Sequence, residues 1–153
     1  MSTEQTTKTP RVVIITGISG AGRRTAAHAV EDLGWYVVDN LPPAMLGALV
    51  DEIAANNIDR LAVVLDVRSR IMFDALGVAV NALDERGIDP AIVFLEASDE
   101  TIVRRQESSR RPLPLQQGGH LLDAVALERR MLSDLRAEAD LVIDTTSITA
   151  RQL

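Results

Sequence analysis

Five short, nearly unbroken apolar runs, at 12–16, 36–39, 61–67, 91–97 and 141–144, constrain this chain more than any other feature. A strand with one wet face alternates apolar and polar residues. These runs do not, so both of their faces must be covered, as they are in a parallel sheet. Between them the apolar spacing turns helical, at 24–33, 43–56, 73–86, 99–108 and 121–139. Strand–helix alternation of this kind predicts an α/β fold, a three-layer sandwich with a parallel sheet of about five strands. Gly34, Gly87 and Pro90 fall where three of the helices should end.

Length and composition narrow the class. A chain of 153 residues is one domain by size and long enough to bury a core. It has no cysteine, which excludes disulfides and thiolate metal sites. No apolar run approaches the roughly 18 residues that cross a bilayer. The polar segment 1–10 reads as a disordered tail without a signal region, so a cytoplasmic location and no membrane partner are expected. The net charge of −6 argues against direct nucleic-acid binding, which needs a basic excess. Lys8 is the sole lysine, so any phosphate chemistry in the folded part falls to arginine.

The first apolar run leads directly into Gly17, Ile18, Ser19, Gly20, Ala21, Gly22, Arg23, Arg24 and Thr25, and then into a helix. The spacing fits the phosphate-loop pattern G-x-x-x-x-G-K-[ST], with Arg23 in place of lysine. Glycines let several backbone N–H groups converge on one anion, and the helix N-terminus adds partial positive charge. Arg23 is placed to reach the β- and γ-phosphates. The glycine order does not match the dinucleotide pattern G-x-G-x-x-G, which disfavours an oxidoreductase. A glycine-rich turn that binds nothing is the alternative. Arg24 stands where a Mg2+-ligating hydroxyl is expected, and Thr25 lies about 100° further around the helix. The use of Mg2+ is therefore expected to be weakened.

Further blocks follow in order: Glu31, Asp32, Leu33, Gly34, Trp35, Tyr36, Val37, Val38, Asp39, Asn40, Leu41 and Pro42; Asp66, Val67, Arg68 and Ser69; Ser109, Arg110, Arg111, Pro112, Leu113, Pro114 and Leu115; Glu128 and Arg129 through Thr145. Over 11–153 they resemble the N-terminal domain of the RapZ/YvcJ family of bacterial nucleotide-binding proteins. The resemblance implies a P-loop kinase-like fold with strand order 2-3-1-4-5, binding of ATP and GTP, and slow hydrolysis. Gly17 to Arg24 match the ATP loop, and Asp66, Val67, Arg68 and Ser69 match the segment assigned to GTP. It also implies a second, C-terminal domain that is absent here. RNA or RNase partners would engage only through the full-length protein. Arg24 replaces the family's serine and Leu113 a histidine, which puts hydrolysis in more doubt than binding. A small-molecule kinase and a non-hydrolysing regulatory module are the rival functions, and a homo-oligomer is left open.

The remaining candidates each have two readings. Asp66, at the end of a run, either serves Mg2+ or water or caps a turn. Arg68 either meets phosphate or pairs with Asp66. Asp39 either orients an acceptor or forms an Asx turn with Asn40. Arg104, Arg105, Arg110 and Arg111 are either a lid over the triphosphate, with Arg110 and Arg111 catalytic, or a solvated basic face. Residues 128–136 read as an exposed helix stripe without chemistry, His28 and His120 as isolated, and Trp35 and Tyr36 as core. The segment 147–153 reads as the start of another helix, suggesting one domain of a longer protein; a frayed C-terminus is the alternative.

Overall fold

The computed structural model of the protein describes residues 9–67, 69–109 and 121–147. Five parallel strands, β1 (Arg11–Gly17), β2 (Tyr36–Asp39), β3 (Arg60–Val64), β4 (Ala91–Glu96) and β5 (Leu141–Asp144), form one sheet in the order β2-β3-β1-β4-β5. The connecting helices are α1 (Arg23–Asp32), α2 (Leu46–Ala55), α3 (Arg70–Glu85), α4 (Asp99–Ser109) and α5 (Leu121–Glu138). A 3-10 turn, Pro43–Met45, precedes α2. The fold class is the one the sequence led to, and the strand order is the one the resemblance implies.

The three inner strands carry the core. Leu61, Ala62, Val63 and Val64 of β3 are consecutive and buried, so helices cover both faces of the sheet there. Ile14, Phe94 and Leu95 complete the fully buried centre. The outer strands β2 and β5 are only half-buried, and Tyr36 is 48% exposed. The expectation that Tyr36 is core is therefore wrong: it opens an edge strand. Trp35 does pack against the core.

Two of the boundaries that moved did so for local reasons near the loops. β3 ends at Val64 rather than 67, so Asp66 lies in the loop beyond the strand. Leu65 continues the course of the strand with one bond, its N–H donating to the Ile15 carbonyl at 2.9 Å. α3 begins at Arg70 rather than 73, because Ser69 caps it and accepts from the Met72 N–H at 3.2 Å. Gly34 and Gly87 stand just past α1 and α3 at positive φ.

Candidate functional site

Parallel order fixes where a site can form. Every strand points the same way, so the loops after β1, β3, β4 and β5 gather at the carboxyl edge of the sheet. Gly17, Ile18, Ser19, Gly20, Ala21 and Gly22 form the turn from β1 into α1. Gly17 has φ 147°, and a Cβ there would run into the Leu95 backbone, with the amide nitrogen at 2.7 Å. Only glycine lets β1 lie this close to β4. Gly20 and Gly22 also have positive φ, at 85° and 106°. Gly22 caps α1 without a side-chain acceptor, so the N–H groups of the first turn at Arg23, Arg24 and Thr25 receive no side-chain cap. A helix start of this kind attracts an anion.

The loop is gripped from outside. Thr145, 2% exposed just after β5, donates its hydroxyl to the Ala21 carbonyl at 2.6 Å. Arg105 on α4 donates from Nη1 to the Gly20 carbonyl and to Thr145 Oγ1, each at 3.0 Å, and from Nη2 to the Thr145 carbonyl at 2.6 Å. Arg105, read as a lid residue, is thus committed to the Gly20 carbonyl of the loop and to Thr145. Arg104 lies on the same helix and donates to Thr101 Oγ1 at 3.3 Å. Arg110 and Arg111, together with Leu113 and His120, lie outside the described residues.

Arg23 does not project freely into the loop. Its Nη1 is 3.1 Å from Asp66 Oδ1 and donates to the Leu65 carbonyl at 3.4 Å, with both side chains largely buried. Arg24 is exposed and Thr25 half-buried. In the adjoining segment Val67 is a core residue at 4% exposure, Ser69 is the helix cap, and Arg68 lies outside the described residues. Asp39 is exposed and accepts the Asn40 N–H at 2.8 Å, with Asn40 at φ 57°: a local turn at the end of β2. No group of three or more His, Cys, Asp or Glu side chains among the described residues could hold a metal. With Asp66 bound to Arg23 and an arginine at the hydroxyl position, the residues present do not make a Mg2+ site by themselves.

Glu128 overturns the reading of 128–136 as a solvated stripe. It is 6% exposed, and its Oε1 accepts the Ser19 N–H at 2.7 Å across 109 residues of sequence. The neighbouring Arg129 holds α5 against the end of β4, donating from Nε to Asp99 Oδ1 at 2.6 Å and from Nη2 to the Ala97 carbonyl. Arg136 bonds Glu96 from Nε at 2.7 Å, and this hydrogen bond holds the Glu96 carboxyl below its ordinary value. Asp144 is also lowered, by hydrogen bonds from Thr146. The signal for Glu128 was present in the sequence. It stands four residues after Ala124 and four before Leu132, on the helix's buried stripe. Thr145 gave no such signal, since a lone threonine after a strand is common.

The family model described as the RapZ-like N-terminal domain matches residues 11–153. A protein of Streptomyces coelicolor named as a nucleotide-binding protein is 54% identical over 146 residues, covering 94% of this chain and 49% of the relative. One from Saccharopolyspora erythraea, similarly named, is 52% identical, covering 100% of this chain and 52% of the relative. The chain thus spans about half the length of these curated relatives. Among solved structures, shikimate kinase from Acinetobacter baumannii in complex with shikimate matches with TM-score 0.63 at 18% identity, covering 95% of this chain and 89% of that one. The tunicamycin resistance protein of Deinococcus radiodurans matches at 0.61 and 19%, with 94% and 90% covered. The chain shares the parallel α/β fold of these structures, and no described helix is long and apolar enough to cross a membrane. The chain belongs to the RapZ-like N-terminal domain family.

Proposed function

We propose that the chain is the ATP- and GTP-binding module of a cytoplasmic regulatory protein, with weak or impaired hydrolysis. The observation that carries this reading is the loop of Gly17, Gly20 and Gly22, which ends in a helix start without a side-chain cap. The names of the relatives support it. Gly17 to Thr25 supply the phosphate cradle, Arg23 and Asp66 sit at its side, and Arg110 and Arg111 are assigned to the outer phosphates. Asp66, Val67, Arg68 and Ser69 are assigned to GTP, through backbone groups where Val67 is buried.

Impaired turnover rests on two features. Arg24 replaces the hydroxyl, and Asp66 is tied to Arg23 rather than poised toward water or Mg2+. The same ion pair favours a second reading, a module that binds nucleotide without hydrolysing it and reports to a C-terminal domain. RNA or RNase contacts belong to that whole protein. A small-molecule kinase would need an acceptor beside Asp39, whose carboxylate is engaged by Asn40.

Calorimetric titration of ATP and GTP, with and without Mg2+, into the chain and its Arg24→Ser variant tests the proposal. We expect binding by both and a gain of Mg2+ dependence in the variant. Binding equally dependent on Mg2+ in the two proteins would overturn the role given to Arg24. Absence of binding in both would overturn nucleotide binding by this chain.

A further inference from the structure

α5 buries Ala124, Val125, Leu132 and Leu135 as a surface helix should, with one break in the pattern. It exposes Leu127 at 40% and Met131 at 38%, yet buries the carboxylate of Glu128 at 6%. Burying a charged group is unfavourable unless its partners are complete. Among the described residues they are not: Oε1 takes the Ser19 N–H, while Oε2 has no partner there. Among the described residues two more buried side-chain oxygens lack a partner, Ser19 Oγ in the loop and Thr16 Oγ1 near the end of β1. Under-bonded oxygens on both Ser19 and its partner Glu128 mark a place where a further polar group belongs.

The carboxylate has the chemistry of what such a loop collects. It is an anion with oxygen acceptors, held by a backbone N–H of the phosphate cradle. The loop cannot turn away from it, because Arg105 and Thr145 fix the carbonyls of Gly20 and Ala21. We propose that Glu128 is a built-in competitor for the anion that this loop takes, an affinity- and selectivity-setting residue. It holds Ser19 N–H in the free chain, and an entering phosphate must displace it. Weak single-charge anions then fail to enter, while a di- or triphosphate, with more acceptors to offer the loop and helix start, succeeds. This rests on the phosphate-binding reading of the loop.

The test is titration of pyrophosphate and ATP into the parent chain and Glu128→Gln, which is close to isosteric. Glutamine keeps an oxygen that accepts the Ser19 N–H and loses only the charged part of the bond, so the variant should bind both ligands roughly tenfold tighter. A purely structural role for Glu128 has the opposite sign, since weakening a prop of the loop weakens binding. Equal or weaker binding by Glu128→Gln, with the parent binding well, overturns the competitor role and leaves the phosphate reading intact. No binding by either protein overturns both. A second measurement needs no variant: the side-chain carboxyl 13C resonance of Glu128 in the parent should move as pyrophosphate saturates the loop. An unmoved resonance, with the loop amides shifted, overturns the proposal.

Discussion

Removing the Arg105 side chain should loosen the phosphate loop by an amount that the geometry allows to be worked out. Its guanidinium makes three hydrogen bonds, to the Gly20 carbonyl, Thr145 Oγ1 and the Thr145 carbonyl. A bond from a charged donor contributes about 1.5–3 kcal/mol, but water can reach part of this half-exposed group, so Arg105→Ala should cost about 2–3 kcal/mol in all. Thr145→Val removes the hydroxyl that donates to the Ala21 carbonyl at 2.6 Å, and leaving that acceptor unmet costs about 1–3 kcal/mol. The Arg105–Thr145 Oγ1 bond is counted in both variants. The double variant should therefore be less destabilised than the sum of the singles, by about 1 kcal/mol. Urea unfolding followed by circular dichroism measures all four corners of the cycle. For a domain of this size the Arg105→Ala loss corresponds to roughly 5–10 °C in melting temperature. Additivity to within about 0.5 kcal/mol, or an Arg105→Ala cost below that value, would refute the clamp.

Gly17→Ala should be among the most damaging single substitutions, costing about 3 kcal/mol or more, because the added Cβ meets the Leu95 backbone and φ is 147°; a thermal melt within 2–3 °C of the parent would contradict this. Ser69→Ala should cost about 1 kcal/mol by uncapping α3, read from the shift in urea midpoint. Acid sensitivity should change in Arg136→Met. The bond from Arg136 lowers the Glu96 carboxyl in the folded state, so its stabilisation is complete above the ordinary value of 4.5 and is lost as the pH falls through the lowered one. The variant should be less stable near neutrality and converge on the parent at low pH. Parallel stability curves down to pH 2–3, a range set by that linkage, would contradict the assignment.

What the sequence made legible was whatever depends on near neighbours. The apolar run at 61–67 announced a strand buried on both faces, and β3 lies inside the sheet between β2 and β1. Gly17 to Gly22 announced the turn from β1 into α1, and three of its glycines take the positive φ that the turn needs. The end of β3 was misjudged because Leu65 and Val67 are buried without being paired as strand, and apolarity cannot separate the two. Long-range partners were illegible. Nothing near Arg23 indicates that it will meet Asp66, 43 positions on, nor that Arg105 will cross to the loop rather than face solvent. Glu128 is the instructive case. A charged residue was read as a surface residue, although its position in the stripe of Ala124, Leu132 and Leu135 placed it inward. Composition misled where periodicity was right.

The central claim is that the glycine loop of this chain receives nucleotide phosphate, and amide-resolved NMR titration with ATP tests it most directly. The account predicts that the backbone N–H signals of Ser19 through Thr25 shift together and saturably, with Leu65 and Asp66 following through Arg23. Saturable shifts confined to other parts of the sheet, or none at all at millimolar ATP, would contradict it.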